Sequence, residues 1–152
     1  MAVYKFKMQS ILNIKEKLEA QAKQEFADAN IRLVQEEALL EELKKRKDYY
    51  IEEGVKLRSS TIEPHLIHNN SLALEVLDDD IEVQKREVSV ARKNVDAARQ
   101  RMMDARAQTR IYEKLKEDDF AEFVSEQGKA EGKEIDELNS FRFSEKQRRG
   151  DV

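Results

Sequence analysis

Leu74, Leu77, Ile81, Gln84, Val88, Ala91, Val95, Ala98, Met102, Ala105, Thr109 and Tyr112 are separated by alternating steps of three and four, and ten of the twelve are apolar. A strand repeats every two residues and cannot produce this spacing. It is the heptad of a long helix whose one apolar stripe meets another helix. Within it Ala91, Ala98 and Ala105 recur every seven residues, while the alternate column holds the larger Leu74, Ile81, Val88, Val95 and Met102. Small side chains on one column and large ones on the other let two helices approach closely and interdigitate.

A partner for that stripe lies upstream. Between Met8 and Leu57 there is no proline and one glycine, Gly54, in a segment crowded with Ala, Leu, Glu, Lys and Gln, which favour helix. Phe26, Ala29, Leu33, Glu36, Leu40, Leu43, Lys47, Tyr50, Gly54 and Leu57 keep the same rhythm, with polar interruptions at Glu36 and Lys47. Farther back Ile11, Ile14, Leu18 and Ala22 lead to Phe26 by steps of three, four, four and four, a stutter that predicts local unwinding of the supercoil. Between the two patterns stand the only proline, Pro64, the small polar Ser59, Ser60 and Thr61, and the cap candidates Asn69, Asn70 and Ser71. The predicted fold is therefore all-α: two long helices forming an antiparallel coiled-coil hairpin, the second overhanging the first. The expected bounds are a single domain over 1–140, with a helix over about 7–57, a loop over about 58–70 and a helix over about 71–139, followed by a basic flexible tail over 141–152.

Folding about such a loop pairs residues whose numbers total about 129, which places Leu43 near Val88 and Leu18 near Ile111. Glu36, Glu37, Glu41 and Glu42 then come beside Arg92, Lys93, Arg86 and Glu87; exposed pairs of this kind choose register rather than supply stability. Beyond about Phe123 the second helix has no partner in the chain. Residues 113–139 remain helix-prone, with ten acidic and four basic residues, although Gly128 and Gly132 each cost about 1 kcal/mol relative to alanine. An extension that frays when alone is expected.

Chemistry has little raw material. There is no cysteine, so disulfides, thiolate metal sites and thiol nucleophiles are excluded. His65 and His68 are the only histidines; with Glu63 they fall short of a zinc set, and they read as solvated loop residues. Asp78, Asp79 and Asp80 fan around a helix and cannot converge on a cation. Neither a glycine-rich phosphate loop nor a Gly-x-Ser-x-Gly nucleophile is present, and a two-helix rod offers no concavity for convergent groups. The expectation is no enzyme, with no catalytic residue, cofactor or metal. From Lys85 to Lys116 ten basic residues stand against four acidic ones, but stacking aromatics are missing until Tyr112 and the net charge of the whole chain is −4. That stripe reads as a face for the first helix or for an acidic protein partner, not for nucleic acid. No apolar run approaches the roughly 18 residues of a membrane span and no signal-peptide block opens the chain, so a soluble cytoplasmic protein is expected. Val34, Leu39, Ile51, Val55, Val76, Val83, Val90, Ile111, Leu115 and Phe120 lie off the seam. About half can thicken it, and the rest are surface for protein partners.

The two ends of the chain carry a family signature. Tyr4-x-Phe6-x-Met8-Gln9-x-Ile11-Leu12-x-Ile14-Lys15, followed by Glu19, resembles the opening motif of the FliJ family of flagellar export proteins. Glu113-Lys114-Leu115-Lys116-x-x-x-Phe120-x-Glu122-Phe123, then Glu131-x-Lys133-Glu134-x-Asp136-Glu137-Leu138, is similar to its closing helix. The resemblance implies a soluble component of the flagellar type III export apparatus, an antiparallel coiled coil similar to the γ stalk of rotary ATP synthases. It implies partners as well: the hexameric export ATPase, whose ring assembly the family promotes, the membrane export gate protein, and empty export chaperones, with a place at the cytoplasmic face of the inner membrane. No nucleotide binding is implied. The ATPase contacts it suggests are Phe6, Ile11, Phe120, Phe123, Glu134, Asp136 and Glu137; the gate and chaperone contacts are Leu43, Tyr50, Leu77 and Gln84. Arg46 stands where the family pattern has an aromatic and Asp80 where it has a small residue. Seam packing alone also accounts for Leu43, Tyr50 and Leu77, and Gln84 is a candidate for setting register. A chaperone-escort module and an unrelated coiled-coil spacer are the competing readings.

Overall fold

A computed structural model describes residues 2–150. They form two helices packed against each other, α1 (Gln9–Ser59) and α2 (Pro64–Gly150), and no strand is found among the described residues. Contacts group the chain into two compact units, one comprising Leu18–Ala105 and the other Met1–Lys17 with Arg106–Val152.

In the Leu18–Ala105 unit the connection between the helices is residues 60–63, much shorter than the predicted 58–70. Proline explains the difference. Pro64 is the first helical residue, where its missing N–H costs nothing and its fixed φ suits the turn. The Glu63 carbonyl accepts from the Leu66 and Ile67 N–H groups at 3.1 and 3.3 Å to close that turn. At the end of α1 the Ser59 hydroxyl donates to the Val55 carbonyl at 2.7 Å and that of Ser60 to the Lys56 carbonyl at 3.5 Å, each reaching back one turn along the helix. Asn69, Asn70 and Ser71 consequently lie inside α2 rather than capping it. The tight turn also shifts the register toward the start of α2: Lys47 meets Asp78 and Glu36 meets Gln84, so Leu43 falls short of Val88.

Every residue assigned to the seam between Phe26 and Leu57, and between Leu74 and Tyr112, is buried or half-buried. Val88, Ala91, Val95 and Ala98 form its most enclosed run. Side chains cross it at defined places. Asn70 is buried and donates through Nδ2 to the Tyr50 carbonyl at 2.8 Å. Gly54 makes room for it, since a Cβ there would stand 2.8 Å from Asn70 Oδ1. Glu36, also buried, receives Arg32 at 2.7 Å on one carboxylate oxygen and Gln84 Nε2 on the other; the same amide donates to the Glu36 carbonyl at 2.9 Å. At the flanks Arg92 pairs with Glu37 at 3.4 Å, as the charge pattern predicts, and the Arg99 guanidinium lies 5.5 Å from the Phe26 ring centroid.

Toward the start of α1 the stutter predicted from Ile11, Ile14 and Leu18 is not taken. Leu12 is 3% exposed whereas Ile14 is 55% exposed, and Ile11 and Leu18 also face outward. The strict heptad simply continues back from Phe26 through Ala22, Glu19 and Lys15 to Leu12, because moving to the isoleucine column would swing the stripe by about 100°. Lys15 is tolerated there since its ammonium sits 5.9 Å from the Tyr112 ring centroid, and the Thr109 hydroxyl donates to its carbonyl at 3.2 Å. Residues 141–150, for which composition predicts a flexible tail, instead continue α2 as far as Gly150; Asp151 and Val152 lie outside the described residues. Once a helix is nucleated, each added residue costs only propagation, and Glu, Lys, Gln and Arg propagate well.

Two outcomes follow. Replacing Gly54 by alanine should lower the denaturation midpoint despite alanine's better helix propensity, because the new Cβ meets Asn70; Gly132→Ala, with nothing within 4 Å, should raise helicity by circular dichroism, a gain of about 1 kcal/mol in local propensity. Gln84→Leu should cost roughly 1–3 kcal/mol in chemical denaturation by stranding a Glu36 oxygen, and Glu36→Leu added to it should recover most of the loss.

Candidate functional site

The unit built from Met1–Lys17 and Arg106–Val152 holds the two end motifs, and Tyr4 and Gln9 join them. Residues 2–6 have no regular structure and lie along α2. The Tyr4 hydroxyl donates to Asp119 Oδ2 at 3.0 Å, and the Lys116 carbonyl oxygen lies 3.4 Å from the same hydroxyl. Its ring packs edge-on against Phe120 at 5.1 Å and tilted against Phe123 at 5.3 Å between centroids. One turn on, the Phe6 carbonyl accepts the Gln9 N–H at 3.1 Å, and the Gln9 side-chain oxygen accepts Lys116 Nζ at 2.7 Å, which ties the start of α1 to α2. Partial burial raises the Tyr4 phenol above its ordinary 10.0, and the hydrogen bond and charge of Asp119 raise it further. A raised value means the folded chain holds this proton more tightly than the unfolded one. The contact's contribution is therefore complete below pH 10.0 and lost as pH climbs through the raised value.

The suggested ATPase contacts divide into three groups. Phe120 and Phe123 are brought together by Tyr4, Phe123 half-buried and Phe120 still about half exposed. Phe6 is half-buried beside them in sequence, while Ile11 points outward from the first turn of α1. Glu134, Asp136 and Glu137 are exposed on the stretch of α2 past Phe123 and take no part in the aromatic cluster. Tyr4 is the organising residue that sequence reasoning passed over as a contact, although it stands in the quoted motif; its partner Asp119 is distant in sequence and carries no pattern of its own. Beside the cluster lies a groove of about 540 Å³ with Leu12, Phe120 and Tyr4 as apolar walls and Glu16, Glu113, Glu117 and Lys116 around it. An apolar surface fringed by carboxylates suits a protein partner that brings apolar and cationic side chains.

In the Leu18–Ala105 unit, Tyr50 and Leu77 line a second groove of about 540 Å³ together with Arg46, Tyr49, Val76 and Asp80. Arg46 and Asp80, where the resemblance led to the expectation of an aromatic and a small residue, border the same groove. Leu43 is half-buried in the seam, and the Gln84 amide is engaged by Glu36. Nearby, Lys47 pairs with Asp78 at 2.6 Å, and that hydrogen bond and charge raise its ammonium above the ordinary 10.5. Among the described residues no group of three His, Cys, Asp or Glu is placed to hold a metal ion, and no helix is long and apolar enough to cross a membrane.

The family model described as Flagellar FliJ protein matches residues 4–148. No curated protein and no solved structure matches the chain. The match begins at the tyrosine that clasps α2 and ends in the last turns of that helix; the chain belongs to the FliJ family and is a component of the flagellar export apparatus.

Proposed function

We propose that the chain is a non-enzymatic, stalk-like partner of the hexameric flagellar export ATPase, that it promotes assembly of the ATPase ring, and that it links the ring to the membrane export gate protein. The observation that carries this reading is the end of the molecule where both motifs meet. Tyr4 holds Phe120 and Phe123 at the surface, and α2 then continues without α1 beside it, presenting Val124, Ile135 and Leu138 among carboxylates. A single helix with exposed apolar positions lacks the burial that stabilises helices in proteins, so a partner that encloses it supplies what this chain does not. Work at the ring needs no catalytic group from the stalk, only shape and complementary charge.

The Tyr50 and Leu77 groove favours a second contact. Its tyrosines and aliphatic side chains stand near the loop and suit the gate protein or an export chaperone. In this reading the two surfaces serve different partners and fail separately under mutation.

Size-exclusion chromatography of the purified export ATPase should show a larger hexamer fraction when the full chain is added. Phe120→Ala together with Phe123→Ala should abolish the increase, while Tyr50→Ala should leave it unchanged and reduce capture of the gate protein's soluble domain or of an export chaperone. An unchanged hexamer fraction with the wild-type chain would rule out the ring role.

A further inference from the structure

Past Phe123 the apolar side chains of α2 are open to solvent: Val124, Ile135, Leu138 and Phe141 are all more than half exposed. Their order is not random. Phe120, Phe123, Gln127, Glu134, Leu138 and Phe141 share one side of the helix at heptad-like spacing, and Val124 and Ile135 border it. Read backward from Phe141, this side repeats what is read forward from Phe120: phenylalanine, apolar, polar, polar, apolar, phenylalanine. The charges at its two ends invert, and between them Lys129 and Lys133 stand among six carboxylates. Counting in from the two ends, Glu113 corresponds to Arg148 and Asp119 to Arg142.

We propose that this segment of α2 pairs antiparallel with the same segment of a second copy, Phe120 of each lying opposite Phe141 of the other. In that register Phe123 meets Leu138, Val124 lies near Ile135, and the Gln127 amide faces the Glu134 carboxylate. Each attraction occurs twice, because a two-fold interface uses the same patch on both partners. Parallel pairing would set Glu113 against Glu113 and Arg148 against Arg148, so the charges select the antiparallel arrangement. The groove lined by Glu113, Lys116, Glu117 and Phe120 then receives a tail that carries Phe141, Arg142, Glu145, Lys146 and Arg148, in which Glu145 corresponds to Lys116. The chain cannot fill this groove with its own tail. Phe120 and Phe141 stand on one uninterrupted helix, about 32 Å apart at about 1.5 Å per residue.

The pairing stands independently of the proposed function. Where both hold, the dimer covers Phe120 and Phe123, so that self-association and engagement of the ATPase exclude each other.

Sedimentation equilibrium of the full chain alone tests the pairing. A monomer–dimer equilibrium is expected that weakens as salt is raised, because its ion pairs are exposed. Phe141→Glu should weaken it by about tenfold or more, a typical loss for a central aromatic contact. Glu113→Arg should also weaken it, and Arg148→Glu in the same chain should restore it. Since the protein lacks cysteine, single thiols report direction: Ala130→Cys, close to the midpoint of the register, should cross-link two copies on oxidation, whereas Ser140→Cys should not. A monomer at every concentration, a dimer indifferent to Phe141→Glu, or equal cross-linking at both positions would overturn the proposal.

Discussion

Among the described residues the contact between two heptad stripes supplies the core, and the rest of the structure depends on it. No large side chain among the described residues is fully buried; the most enclosed are Ala98, Thr109 and Leu12, with Val88, Ala91 and Val95 close behind. Two helices can shelter only the strip between them, so enclosure comes from close approach. The alanine column permits that approach by removing side-chain volume where the helix axes are nearest. The off-seam apolar residues remain at the surface for the same reason: among the described residues no third layer covers them.

A uniform apolar stripe would leave register open, since sliding by one heptad changes little. The polar residues inside the seam remove that freedom. Glu36 with Arg32 and Gln84, Asn70 with the Tyr50 carbonyl over Gly54, and Thr109 with the Lys15 carbonyl each satisfy a polar group that would be stranded after a slip. They are placed along both units, so each length of seam carries its own lock. Among the described residues no buried side-chain polar atom lacks a partner, which is what makes these interruptions compatible with stability.

The proposed contacts sit where the seam runs out. Tyr4 closes the pairing by setting a residue from the N-terminal segment between two phenylalanines of α2, and beyond that point the helix has carboxylates and apolar side chains but no cover from α1. A helix in this condition is available for association. The same physical deficit, an uncovered stripe, underlies both the proposed ring contact and the proposed self-pairing.

The sequence by itself determined the helices and their buried columns, because heptad spacing is a local property that any long helix must turn into a stripe. It also carried the family, through motifs at the two ends. It did not determine the loop: small polar residues and Asn69-Asn70-Ser71 suggested a long one, whereas Pro64 started α2 early and shifted the partners of Glu36 and Lys47. Nor did it reveal that Leu12 rather than Ile14 faces inward, a choice made by continuity with the seam farther along α1 against the greater hydrophobicity of isoleucine at a competing position. The Tyr4 clasp was likewise decided only by tertiary structure. A phenol and a carboxylate more than a hundred residues apart in sequence become partners only when the two helices set their register, and no local pattern records that distance.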